Sequence, residues 1–136
     1  MAERLILIVD DDPDIAEAMG LVLESTGAEV RIEEDVDAGI AAALEMRPDL
    51  ILVDLMLPDP DDGYFFVHRL RSEGEYGARV PVVLLSSLTR AEMDDLRYPE
   101  VEGAPFEAGE PVPISAFLEK PTPPARLLGA ANDLLG

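Results

Sequence analysis

The chain has 136 residues, 48% hydrophobic and 29% charged, which is enough for one compact domain with its own core and unlike the low-hydrophobicity signature of disorder. Ten basic against twenty-nine acidic residues give a formal charge of −19, which sets the surface against nucleic acid and anionic lipid and argues against direct DNA binding. The absence of cysteine removes disulfides, thiol catalysis and thiolate-held metals.

The first predicted element is the apolar run Leu5 to Val9, a strand buried on both faces. Arg4 is the one basic residue before it, and it stops at Asp10, too short for the apolar region of a signal peptide. No apolar stretch approaches the roughly 20 residues of a membrane span, so a cytoplasmic protein is expected. Asp12 before Pro13 suits a helix N-terminus, and Ile15, Met19, Val22 and Leu23 form the apolar stripe of that helix. Ala28 to Glu33 alternates apolar and polar residues, as an edge strand does. A second stripe, Val36, Ile40, Ala43 and Leu44, predicts the next helix, and Leu50 to Val53 the next buried strand.

Beyond the acidic run around Gly63 comes a helix carrying His68, expected to be a lone surface histidine. Val80 to Leu85 reads as the fourth strand. From Tyr98 to Pro113 the density of proline and glycine predicts an ordered, non-helical excursion, either a tolerated surface insertion or a partner-binding loop. Ile114 to Leu118 is the fifth strand, and a final helix buries Leu127, Leu128, Ala131, Leu134 and Leu135. Five strands and about five helices, with right-handed crossovers and an outer second strand, imply a doubly wound α/β fold of order 2-1-3-4-5. A single domain spanning 1–136 with no output domain is expected.

In that topology the carboxyl ends of the first and third strands meet, which brings Asp10 and Asp11 together with Asp54. Several carboxylates held close either raise one another's pKa or bind a cation, and an oxygen-only cluster suits a hard metal, with Mg²⁺ the natural choice. Capping of the following helices would explain Asp12 but not the convergence of the other three. Nine of the ten basic residues are Arg, and the one lysine is Lys120. Either coding bias left it by chance, or a compact ammonium does there what a guanidinium does not.

Four motifs now stand in register: Val-Asp-Asp after the first strand, Val-Asp-Leu-Met-Leu-Pro after the third, Leu-Leu-Ser-Ser after the fourth and Phe-Leu-Glu-Lys-Pro after the fifth. Together they resemble the receiver domain of two-component response regulators, with its flavodoxin-like fold, over essentially the whole chain. The resemblance implies that Asp54 is the phosphoacceptor, taking a phosphoryl group from a phosphohistidine. It implies that Asp10, Asp11, Asp54 and the main-chain carbonyl of Met56 hold Mg²⁺. Ser86 then matches the switch hydroxyl, Phe117 the switch aromatic, and Lys120 the lysine that pairs with Asp54 and then with a phosphoryl oxygen. Pro121 falls where the family often has a cis bond. Phe117 could equally be a plain core aromatic.

The pattern is not followed everywhere. The acidic run Pro58 to Gly63 is one residue longer than usual, and as a calcium loop it fails, because Pro58 and Pro60 stand where oxygen ligands are needed. The spacing between Ser86 and Lys120 is also wider than the family's. Apolar Met56 and Leu88 flank the acceptor and cannot orient water, so slow self-hydrolysis is expected. A phosphatase of the aspartyl-phosphate type would need a different acidic motif and a substrate cap. A degenerate receiver acting as a constitutive interaction module is the other alternative, against which the retained Asp10, Asp11, Asp54, Ser86 and Lys120 stand. The implied role is therefore a switch rather than an enzyme. Its partners are a sensor histidine kinase or histidine phosphotransfer protein and an unknown downstream protein, with the chain a monomer or weak homodimer.

Overall fold

The computed structural model describes residues 4–57, 59, 61–87 and 96–135. In chain order the elements are β1 (Leu5–Val9), α1 (Pro13–Glu24), β2 (Glu29–Glu33), α2 (Val36–Met46), β3 (Leu50–Asp54), α3 (Asp62–Arg71), α4 (Gly74–Arg79), β4 (Val82–Ser86), β5 (Ala116–Glu119) and α5 (Pro124–Leu135). The five strands are all parallel and lie in the order β2-β1-β3-β4-β5, as expected from the sequence.

The apolar runs become strands because each can bury both faces. Leu7, Val9, Ile51, Val53, Val82 and Leu84 point to one side, where α2, α3 and the segment around Tyr98, Phe106 and Val112 cover them. Ile6, Ile8, Leu50, Leu52, Val83 and Leu85 point to the other, against α1 and α5. β3 and β4 are buried along their whole length, whereas β2 keeps Glu29 and Arg31 in solvent at the sheet edge. Gly39 lets α2 approach closely: a Cβ there would fall 2.9 Å from both Val9 and Phe66.

Several boundaries move from the sequence reading, for identifiable reasons. Val80 ends the short helix α4 instead of opening a strand, its N–H bonded to Tyr76 O, and Pro81 follows before β4 begins. β5 starts at Ala116 rather than Ile114. Ser115 takes up the start of the ladder with its side chain: Val82 N–H donates to Ser115 Oγ (3.2 Å) while Ser115 N–H donates to Val82 O (2.8 Å). On α1 the predicted stripe holds for Met19 and Leu23, but Ile15, in the first turn, is 41% exposed. Leu44 likewise lies at the margin of its stripe. Among the described residues no helix is long and apolar enough to cross a membrane.

Candidate functional site

Strand ends build the site. β1 stops after Val9, and Asp10 donates its N–H to Glu33 O (3.0 Å), a last link towards β2 before the chain turns into α1. Asp10 is fully buried, and its Oδ1 accepts the N–H of Asp12 (2.9 Å). Asp12 in turn caps α1, accepting the N–H groups of Asp14 and Ile15, with Pro13 in the first turn. Asp11 is left facing solvent. Asp54 ends β3, is 8% exposed, and accepts the N–H of Met56 on Oδ1 (3.1 Å).

The expected convergence is present. Asp10, Asp11 and Asp54 each bring a carboxylate oxygen to within 4.8 Å of the others. Lys120, one residue past β5, lies between two of them, its Nζ donating to Asp54 Oδ2 (2.5 Å) and Asp10 Oδ2 (3.1 Å). Burial alone would pull this ammonium's pKa down. Hydrogen bonds and charge from Asp54, then Asp10, outweigh that and hold it above the ordinary lysine range. Two buried carboxylates beside one shared cation form a pair that is expensive to break.

Ser86, 4% exposed, ends β4 opposite Glu119, and its carbonyl accepts the N–H of Lys120 (2.8 Å), so the serine and the lysine are fixed beside each other. The Lys120–Pro121 bond is cis, as the resemblance suggested. Phe117 pairs with Leu84 and is half-buried against the α3-side core. The side chain of Met56 is 52% exposed. Leu88, Pro58 and Pro60 lie outside the described residues.

The acidic loop after Asp54 is closed by its own backbone. Gly63 donates to Leu55 O (2.7 Å), and Asp62 Oδ2 accepts the N–H of Asp59 (3.1 Å). Burial first, then the charges of Asp59, Asp61 and Asp11, raise the pKa of Asp62 against the lowering effect of that hydrogen bond. An oxygen-only donor set with this much unbalanced negative charge fits a hard divalent cation.

His68 corrects the sequence reading: it is not a lone surface histidine. It is half-buried, with ring centroids 6.1 Å from Tyr98 and 6.0 Å from Phe106. These aromatics were missed as a unit. The available signal was the presence of Tyr98 and Phe106 inside a stretch otherwise composed like a solvated loop.

Known proteins resemble this chain in sequence and in fold. The model of the response regulator receiver domain matches residues 6–104. The DNA-binding dual master transcriptional regulator RpaA of Synechocystis is 35% identical over 130 residues, covering 96% of this chain and 48% of RpaA. The DNA-binding response regulator MtrA of Mycolicibacterium smegmatis is 39% identical over 84 residues, covering 62% of this chain and 35% of MtrA. The chain thus spans about half the length of the first and about a third of the second. Among solved structures, chemotaxis response regulator CheY4 of Vibrio cholerae superposes with a TM-score of 0.80 at 25% identity, covering 98% of this chain and 100% of CheY4. The BeF3-activated N-terminal receiver domain of Klebsiella pneumoniae RstA gives 0.75 at 29%, covering 97% and 98%.

Proposed function

This chain belongs to the response regulator receiver domain family, and from that premise we propose that it is a phosphoacceptor switch that takes a phosphoryl group onto Asp54. The observation that carries the reading is the placement of Lys120 Nζ on both Asp54 and Asp10, beside the three-carboxylate cluster. A cation already poised on the nucleophile, in a cluster with room for a second, suits a site that must accept further negative charge.

In the step we propose, one Asp54 carboxylate oxygen attacks the phosphorus of a phosphohistidine on a partner kinase or phosphotransfer protein. The P–N bond breaks, an acyl phosphate forms, and the imidazole leaves with a proton. Asp10, Asp11, Asp54 and the Met56 carbonyl would hold Mg²⁺, which when bound offsets the charge on nucleophile and phosphoryl oxygens. Asp54 is kept oriented by the Met56 N–H on Oδ1. Lys120 follows the charge from the carboxylate to a phosphoryl oxygen, a movement its flexible stem permits. Ser86 would donate to another phosphoryl oxygen, and Phe117 would answer that movement from the neighbouring strand. Apolar, exposed Met56 offers nothing to orient a hydrolytic water, which favours a long-lived acyl phosphate. The chain signals by protein contact in the cytoplasm, and the phosphoryl group is held as a state and not turned over.

The test is intact-mass detection of a phosphoryl adduct from acetyl phosphate with and without Mg²⁺, on the natural chain and on Asp54→Ala. One adduct that requires Mg²⁺ and is lost in the variant is expected. An adduct that survives Asp54→Ala, or none from either acetyl phosphate or a phosphohistidine donor, would overturn the assignment.

A further inference from the structure

The segment 96–113 takes no part in the sheet, and the acceptor chemistry does not use it. It closes on itself: Tyr98 N–H donates to Glu110 O (2.9 Å), Gly109 N–H donates to Tyr98 O (2.9 Å), and Arg97 bridges Pro111. Its two rings, Tyr98 and Phe106, stack with centroids 4.5 Å apart and are each 7% exposed. Both rest on α3. Tyr98 meets Tyr64 edge-on at 6.2 Å, Phe106 meets Phe65 at 5.0 Å, and His68 touches both. Arg71, at the far end of the same helix, donates Nε–H to Pro113 O (2.9 Å).

Tyr64 and Phe65 are also the residues next to Gly63, where the acceptor loop ends. That joint has no slack, since a Cβ at Gly63 would lie 2.5 Å from Leu55 Cα and 2.7 Å from Leu55 O. Whatever fixes the loop after Asp54 therefore fixes the platform on which Tyr98 and Phe106 lie. The loop contributes Asp59, Asp61 and Asp62, and its charge is felt together with that of Asp11. A cation held by the cluster would offset part of this negative charge next to the tight Gly63–Leu55 joint, which leads directly into α3.

We propose that the Tyr64–Phe65–Tyr98–Phe106 stack couples the acceptor loop to the 96–113 segment, so that loading the acceptor site tightens the segment through α3. The inference rests on the phosphoacceptor reading above. The two-state element is the segment itself, either docked on α3 or lifted from it. Because coupling between binding equilibria is reciprocal, releasing the segment must weaken binding at the cluster by the factor that binding tightens the segment.

The measurement is amide hydrogen exchange on the full chain, alone, with Mg²⁺, and with Mg²⁺ plus beryllofluoride as phosphoryl mimic. Peptides covering 55–57 report loading and those covering 97–112 report the segment. Loading is expected to slow exchange at Tyr98, Gly109 and Glu110 by about fivefold or more. Protection at 55–57 with unchanged or faster exchange at 97–112 overturns the coupling and leaves the phosphoacceptor reading intact. No protection at 55–57 with either ligand overturns both. In the reciprocal arm, Phe106→Ala should weaken the calorimetric Mg²⁺ affinity by about the same factor. An unchanged affinity in a folded variant whose segment exchanges freely also overturns the coupling.

Discussion

The acceptor edge and the 96–113 segment meet at the first turn of α3, yet they are held by opposite means. At the acceptor edge, Asp10, Asp54, Ser86 and Lys120 stand at or just past the ends of adjacent parallel strands, so hydrogen-bonded register puts them together. One shared ammonium offsets part of their negative charge, through hydrogen bonds to Asp10 and Asp54. In the segment no residue pairs with the sheet, and position is set by two stacked rings on a helix well earlier in the chain, Tyr98 on Tyr64 and Phe106 on Phe65. One region is placed by backbone and held by charge, and the other is placed and held by side-chain packing.

That contrast can be broken most directly at Lys120. Lys120→Met leaves Asp10 and Asp54 buried without their cation and should cost about 3 kcal/mol of unfolding free energy in the absence of metal, measured by urea denaturation. Added Mg²⁺ should recover part of the loss; an equal loss with and without Mg²⁺ would show that the lysine is held for packing and not for charge. Phe106→Ala tests the other side. Loss of a ring of this burial should cost about 3 kcal/mol without metal and, if the segment is coupled to the cluster, about 1 kcal/mol more at saturating Mg²⁺, whereas a loss under about 1 kcal/mol would mean that the segment is only laid on the surface.

A smaller effect separates local from tertiary support at the acceptor edge. Asp12→Ala removes the α1 cap and should cost about 1 kcal/mol, without abolishing the acyl phosphate, since the cap touches the site only through its own N–H on Asp10. The smallest effect appears only in alkali. Burial, opposed by Arg71, pushes the phenol of Tyr98 up to about 12 from the ordinary 10.0. The unfolded chain therefore ionises first, so this stabilisation is intact below pH 10.0 and is lost as pH rises towards about 12. Tyr98→Phe should flatten that decline, and absorbance at the phenolate band should show tyrosines still protonated where a free phenol is half ionised.

The same contrast explains what could be read in advance. Strand runs such as Leu50 to Val53, and the acidic residues ending them, declare themselves locally, and the parallel topology then dictates that Asp10 and Asp54 meet. Asp12 and Pro13 declared the start of α1 in two letters. The strand boundaries slipped where a side chain replaced a ladder bond, as at Ser115, or where a short helix ran into a proline, as at Val80 and Pro81. His68 was misread because its partners, Tyr98 and Phe106, are distant in sequence and sit amid prolines and glycines. No periodicity links a helix residue to such a segment; only the packed structure does.

The antiparallel bridge between Arg97 and Pro111 brings the two ends of the segment together. A loop whose ends already meet is cheap to lengthen, since each doubling of its length costs only about 0.6 kcal/mol in closure entropy. Glu102 and Gly103, the exposed tip between the two ring anchors, are accordingly a place where a peptide tag or reporter domain could be grafted without disturbing the sheet. A reporter inserted there would move with the segment and so follow, from outside the molecule, whether the segment lies docked on α3 or lifted from it.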